Sequence, residues 1–264
     1  MKRFINWVAP YFIIGWIVLG LLSMSFARAD TTVDEYLTAQ EKDGVIIAVA
    51  EVAPLTMEDY MLKPAVRIRK EGGGSGSGIA FRTDEFSGTR ILTNYHVIAG
   101  KPGGIHVQFY GETDTDMAYI AYVVSYDKAM DIAVLILEES FEHVAVLGNM
   151  SDVQVLDETY CVGSPLGLPP MVTKGIISNV DLFNPNIGNH YFQSDCKIFS
   201  GNSGGGMFVQ RDDQWVLVGI NTWVLSGAVS GGFTPQQFPI AHLGFAVRID
   251  DIRGHLQEYG MNPE

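Results

Sequence analysis

The chain of 264 residues has 47% hydrophobic and 18% charged side chains, a composition that can bury a sizeable core and excludes intrinsic disorder. Its 29 glycines, about 11% against roughly 7% in average proteins, accompany short runs of Val, Ile, Tyr and Phe, which points to strands and tight turns and away from a bundle of long helices. A formal charge of −13 lacks the basic footprint that sequence-independent nucleic-acid binding requires, so DNA and RNA are poor partners.

Residues 1–29 read as an address. Lys2 and Arg3 precede an uncharged stretch, Phe4–Ala27, and Ala27-Arg28-Ala29 has the small-x-small form of a signal-peptidase site. Export follows from that pattern. The uncharged stretch exceeds the roughly 7–15 residues of an ordinary signal core and is long enough to span a bilayer with tilt. An uncleaved anchor, tethering the protein to a membrane through residues 4–27, therefore stands beside cleavage. Residues 30–60 form a mixed lead-in, with Asp30–Asp43 acidic and polar, expected to be flexible or a short helix.

From Pro64 onward short apolar runs alternate with turn signals: Val66–Ile68, Ile79–Phe81, Ile91–Leu92, Ile105–Tyr110, Tyr119–Val124 and Ile132–Leu137. The second half repeats the habit at Val144–Leu147, Thr159–Val162, Val172–Val180, Gly206–Gln210, Val216–Thr222 and Gly244–Arg248. Only Asp250–Tyr259 has a helical pattern. The spacing predicts an all-β chain of two packed antiparallel units, sandwich or barrel, rather than a parallel sheet with helical crossovers.

Three distant places carry chemistry. In Gly201-Asn202-Ser203-Gly204-Gly205 a serine sits among glycines that let the backbone turn two N–H groups toward one point beside the hydroxyl, as a nucleophile with its own oxyanion hole needs. A Ser/Gly surface turn is the commoner origin of such a string. The string also fits the nucleophile elbow of an α/β-hydrolase, with Asp212, Asp213 and His242 following in the order that fold uses. An elbow must open a helix, however, whereas Met207–Val209 and Trp215–Val218 read as a hairpin turning at Arg211-Asp212-Asp213. Upstream, His96 ends the strand-like run Leu92–Val97 before the Gly100–Gly104 turn, where it can serve as a general base. His106, His143, His190, His242 and His255 lack that context. Asp131 opens the apolar run Asp131–Leu135, a place for a partly buried carboxylate.

With His, Asp and Ser in that order, the chain resembles the trypsin-like serine proteases of the HtrA/Deg type. The pieces that carry the resemblance are Gly74-Ser75-Gly76-Ser77-Gly78, Thr93-Asn94-Tyr95-His96-Val97, Asp131-Ile132-Ala133-Val134-Leu135, Gly163-Ser164-Pro165-Leu166-Gly167, Gly201–Gly205, Gly219-Ile220-Asn221-Thr222 and Gly244-Phe245-Ala246-Val247, over roughly residues 60–250. The resemblance implies a chymotrypsin-like double six-stranded β-barrel with a short C-terminal helix and the active site in the cleft between barrels, a protease domain over 61–264 with barrels at roughly 61–145 and 146–250. It implies Ser203 as nucleophile, His96 as general base and Asp131 as the group that orients the imidazole. The Gly201 and Ser203 amides would bind the oxyanion, and Thr222 would support Asp131 from behind. The glycine-rich stretch 72–78 reads as a tight β connection, since no Lys follows to make a phosphate loop.

In trypsin-like proteases the substrate pocket lies between the segment before the nucleophile and the strand after it, here Lys197, Ile198, Phe199 and Ser200 facing Thr222, Trp223 and Val224. Val224 stands where a glycine would leave a deep slot open, which predicts small aliphatic residues at P1. Lys197, six residues before Ser203, would select Asp or Glu if it pointed inward, and snorkels into water otherwise. The chain ends too soon after Val247 for the PDZ domain common in this family, and Asp30–Asp59 shows no match to the family's trimer contacts, so the oligomeric state is not assigned. Cys161 and Cys196 are the only cysteines. An exported pair can close a disulfide, or the two can be buried free thiols in neighbouring strands, and both readings stand. No cofactor and no metal are expected: two cysteines are too few for zinc, and Asp114 and Asp116 lack EF-hand spacing and read as a solvated hairpin tip. The expected partners are polypeptide substrates in unfolded or extended segments, and the function is that of an exported serine endopeptidase. A catalytically idle peptide-binding or chaperone module and an α/β-hydrolase esterase are the alternatives.

Overall fold

The computed structural model describes residues 37–42, 45–50, 55–71, 73–83, 88–100, 104–112, 118–185, 188–229 and 236–263, with the backbone alone for 37–50 and 224–242. The leader and the Asp114/Asp116 tip lie outside the described residues. Among those described, no helix is long and apolar enough to cross a membrane.

The chain divides into two units, 1–55 and 56–264. In the first, β1 (Leu37–Lys42) and β2 (Val45–Ala50) form an antiparallel hairpin in register from Leu37 opposite Ala50 to Lys42 opposite Val45. This corrects the expected flexible or helical lead-in. Val45-Ile46-Ile47-Ala48-Val49 is a β-branched run, and pairing it draws the more polar 37–42 into the extended state as its partner.

The second unit opens with a π-helical turn, Glu58–Leu62, and continues into β3 (Ala65–Lys70), β4 (Ser75–Phe81), β5 (Thr89–Thr93), β6 (Ile105–Phe109), β7 (Tyr119–Asp127) and β8 (Ile132–Leu137). These close a six-stranded barrel in the order β3-β4-β5-β8-β7-β6. The short β9 (Val146–Leu147) leads to β10 (Glu158–Gly163), β11 (Met171–Asn184), β12 (Asn189–Ser194), β13 (Gly206–Arg211), β14 (Gln214–Val229) and β15 (Gln236–Arg248). Their order is β13-β10-β11-β12-β15-β14, closed by pairing of β13 with β14, with β9 added parallel to β14. The helix Ile249–Glu258 follows β15. The all-β, double six-stranded barrel with a C-terminal helix is thus the architecture observed.

The half-alternating, half-continuous apolar strands have a physical reason. Ala80, Ile91, Leu135 and Leu137 fill the first barrel, while Ile79, Phe81, Leu92, Ile132 and Val134 face a second core shared with Phe208, Leu217, Ile220 and Val247 of the other barrel. Strands between two cores are buried on both faces and read as unbroken apolar runs. The second barrel has its own interior, including Cys161, Ile177, Phe192, Cys196, Met207 and Val218. The hairpin between β13 and β14 turns at Asp212 and Asp213, both with positive φ (46° and 64°), and pairs Arg211 with Gln214, the mirror-image turn that suits right-twisted strands. A strand therefore follows Ser203, and the α/β-hydrolase elbow has no helix to open. One strand, β12, escapes the apolar pattern: Asn189-His190-Tyr191-Phe192-Gln193-Ser194 becomes a strand because β11 and β15 flank it on both sides.

Candidate active site

His96 belongs to a single helical turn, Tyr95–Ile98, directly after β5, rather than to the strand's end as its apolar neighbours suggested. The turn lets its backbone N–H and its ring reach one acceptor: the main-chain amide donates to Asp131 Oδ1 at 2.9 Å and Nδ1 lies 2.8 Å from Oδ2. Asp131 precedes β8 with φ of +59°, a left-handed conformation that costs a non-glycine residue free energy and persists only where surroundings hold it. They do so at both ends. Asn94 Nδ2 donates to the Asp131 carbonyl at 2.9 Å, and Thr222 Oγ1 donates to Oδ2 at 2.6 Å. Burial pushes the Asp131 carboxyl up, but the hydrogen bonds from His96 and Thr222 outweigh it and hold the group below its ordinary value of 3.8. With Nδ1–H turned to that carboxylate, the neutral ring carries its lone pair on Nε2.

Ser203 lies in the turn between β12 and β13, which the first barrel and the Ser164–Gly167 segment hold together. Its hydroxyl donates to the Thr222 carbonyl at 3.1 Å rather than to the imidazole. Among the described residues, the backbone N–H groups of Gly201 and Ser203 donate to no protein acceptor, whereas Asn202, Gly204 and Gly205 all do. Gly201 has φ of +99°, and a Cβ there would stand 2.5 Å from the Ser164 carbonyl oxygen and 2.8 Å from Leu166 N. No other residue fits this turn. Ser77, 0% exposed on β4, touches it from the opposite barrel: its amide donates to the Ser203 carbonyl at 2.8 Å and its hydroxyl to the Gly201 carbonyl at 2.7 Å. Asn94 and Ser77 both sit in motifs visible in the sequence, yet their contacts across the chain have no local signal.

Of the substrate-pocket residues, Lys197 is exposed and its carbonyl accepts the Thr173 hydroxyl at 3.0 Å. Ile198 lies against Gly244, where an added Cβ would meet Ile198 Cδ1 at 2.3 Å, and Gly244 pairs in register with Val224. Trp223 stacks on Phe245 with centroids 3.8 Å apart and 12° between planes. Ile198 thus packs beside the β14–β15 pair that carries Val224, while Phe199 and Ser200 are exposed. The side chains of Val224 and His242 lie outside those described.

Cys161 and Cys196 are free thiols, buried in the second barrel, so the structure holds the unbonded alternative of the two. Cys161 Sγ lies 3.9 Å from Ser194 Oγ, and Cys196 Sγ donates to the Thr159 carbonyl at 3.6 Å. The other described histidines have partners elsewhere: His106 with Glu71, His143 with Asp59, His190 with Asp181 and His255 with Ser125. No cluster of three His, Cys, Asp or Glu side chains able to hold a metal occurs among the described residues.

A family model described as "Trypsin-like peptidase domain" matches residues 76–220, a stretch that contains His96, Asp131 and Ser203. The chain belongs to the trypsin-like peptidase family. Among curated relatives it is 33% identical over 193 residues to the magnetosome formation protease MamE of Paramagnetospirillum magneticum, covering 71% of this chain and 24% of that protein. It is 32% identical over 196 residues to a probable periplasmic serine endoprotease, DegP-like, of Hahella chejuensis, covering 72% of this chain and 37% of the relative. The chain thus spans less than two fifths of the length of either. In fold it is similar to an HtrA-type protease solved with a tripeptide, with a TM-score of 0.59 and 24% identity over 77% of this chain and 63% of that one.

Proposed function

We propose that this trypsin-like peptidase domain, residues 61–264, is a serine endopeptidase that hydrolyses peptide bonds in unfolded or extended protein segments. The observation that carries the reading is the Asp131 carboxylate gripped by His96 and Thr222 while the Gly201 and Ser203 amides have no protein acceptor. Neutral His96 takes the Ser203 proton on Nε2 as Oγ, turned about χ1 from the Thr222 carbonyl, attacks the P1 carbonyl carbon. Asp131 fixes the imidazole tautomer and stabilises the imidazolium formed, and the two free amides receive the oxyanion. The imidazolium then gives its proton to the departing amine, and water repeats the sequence on the acyl-enzyme. All of this uses side chains and backbone alone.

Substrate chemistry follows from the walls. Ile198 resting on Gly244 makes the slot short and apolar, and the exposed Lys197 stays in water, where its charge is solvated. Small aliphatic P1 residues fit. Export is supported by the leader pattern and by the periplasmic designation of the DegP-like relatives. The Ser203 hydrogen bond to Thr222 favours, as a second reading, an idle peptide-binding module. A serine-phosphonylating probe, followed by peptide mapping, decides between them: labelling of Ser203 and loss of casein cleavage in Ser203→Ala are expected, whereas unlabelled Ser203 in folded protein, or full cleavage by Ser203→Ala, overturns the triad.

A further inference from the structure

We propose that Ser77 is the positioning residue for the oxyanion-binding turn, reaching it from the other barrel; the inference rests on the serine-peptidase reading of this site. The turn must present two N–H groups, those of Gly201 and Ser203, to one point. The Gly201 N–H belongs to the 200–201 peptide and the Ser203 N–H to the 202–203 peptide. A glycine at positive φ gives the chain little resistance to swinging its flanking planes, so the relative direction of the two N–H groups depends on how the 201–202 peptide that joins them is held.

Every carbonyl from Phe199 to Ser203 is held. The Phe199 oxygen accepts Asn202 N–H at 3.0 Å, the Ser200 oxygen Leu166 N–H at 2.8 Å, the Asn202 oxygen Gly205 N–H at 2.9 Å and the Ser203 oxygen Ser77 N–H at 2.8 Å. The Gly201 oxygen alone is held by a side chain, the Ser77 hydroxyl at 2.7 Å. That hydroxyl also accepts the Ser164 N–H at 2.7 Å. Since an amide can only donate, the single hydroxyl proton is committed to Gly201, and the direction of both bonds is fixed. Thr93 Oγ1 in turn donates to the Ser77 carbonyl at 2.7 Å, so each polar atom of Ser77 is used. The Ser77 side chain is fully buried.

The glycines around Ser77 are what bring the barrels this close. A Cβ on Gly204 would stand 2.1 Å from the Ser77 carbonyl oxygen, one on Gly163 3.0 Å from Ser77 Oγ, and one on Gly76 3.2 Å from the Ser203 carbonyl oxygen. The Gly74–Gly78 stretch is therefore more than a tight connection: Ser75–Phe81 is a strand whose small residues admit the catalytic turn and whose one buried hydroxyl fastens it.

Replacing Ser77 by alanine keeps the backbone bonds but leaves the Gly201 carbonyl and the Ser164 N–H without their partner, and the 201–202 peptide that joins the two donor planes is then held only by its Asn202 N–H bond to the Phe199 carbonyl. The test is steady-state kinetics on a peptide amide, normalised by phosphonate titration of Ser203, with binding of a peptide aldehyde compared with that of the matching product peptide. For Ser77→Ala we expect kcat to fall about 10- to 100-fold, below the ~10²–10³ that loss of an oxyanion donor itself costs, with KM and product-peptide affinity unchanged and aldehyde affinity falling in parallel with kcat. Ser77→Cys, which keeps a weaker and longer donor in place, should be intermediate and supplies the readout if the alanine variant does not fold. Normal kcat and aldehyde affinity in folded Ser77→Ala, or in Ser77→Cys where alanine is not tolerated, overturns the inference. So does a parallel loss of product-peptide binding, which a general loosening of the cleft would give. Ser203→Ala in the same series separates the two levels: if it is inactive while Ser77→Ala is normal, only the role of Ser77 falls, and if it is active the peptidase reading falls first.

Discussion

At Asp131 a strained backbone and a fully engaged carboxylate occur together. The left-handed φ aims the side chain at the His96 amide and ring at once, and the hydrogen bonds that hold it offset the conformational cost. Asn at this position is isosteric but replaces one carboxylate oxygen with an NH2 donor, so it cannot accept the His96 main-chain amide at one atom and both Nδ1–H and Thr222 at the other. Asp131→Asn should lower kcat by about 10⁴, the cost of the same change in the serine-peptidase template, with the melting temperature little changed. Thr222→Val, which removes one donor and leaves the imidazole contact, should cost about tenfold. Peptide hydrolysis rates beside thermal melts check both, and a Thr222→Val variant more impaired than Asp131→Asn would reverse their assigned order.

Among the elements, the C-terminal helix Ile249–Glu258 ties the two barrels together. It buries Ile249, Ile252 and Leu256 in the shared core, Arg253 donates to the Leu147 and Gly148 carbonyls, and His255 Nε2 meets Ser125 Oγ of β7 at 3.0 Å. Burial lowers the His255 pKa below its ordinary 6.5, despite the raising influence of Asp127 and Glu258. The folded state therefore binds fewer protons than the unfolded state below that value. The stability due to neutral His255 is complete above about pH 6.5 and declines as pH falls toward the folded-state pKa. Chemical denaturation from pH 8 to pH 5 should show this decline, and His255→Gln should flatten it. The elements β14 and β15 with the Lys197–Ser200 segment set cleavage preference. Profiling cuts in a denatured proteome should give mainly Ala, Val, Ile or Thr at P1; a majority at Asp or Glu would mean that Lys197 points inward, and one at Lys or Arg would contradict both readings of the slot.

For the molecule as a whole, each barrel closes on itself, and the apolar interior of the second shelters both cysteines. Burial pushes the Cys161 thiol well above its ordinary range, which keeps it protonated and unreactive. In reduced native protein a thiol reagent should leave Cys161 unmodified on the timescale of minutes and modify it within that time in denaturant. Mass analysis of the non-reduced, alkylated protein reads the number of modified thiols directly, and rapid native labelling would mean that the barrel opens locally.

The sequence by itself determined the fold class, the strands at Ile91–Leu92, Ile132–Leu137 and Gly206–Gln210, the C-terminal helix and the turn at Asp212-Asp213, because alternation, apolar runs and turn residues act over a few positions. Motif order brought His96, Asp131, Ser203, Gly201 and Thr222 into one candidate site. The tertiary structure decided what depends on contact between distant segments: that β1 and β2 pair, that polar β12 is a strand between two others, that the cysteines lie unbonded in one core, and that Ile198 covers Gly244. It also decided that Ser77 fastens a turn more than a hundred residues away. Burial on both sides and hydrogen bonds across a cleft are set by which surfaces meet, and no local periodicity encodes that meeting.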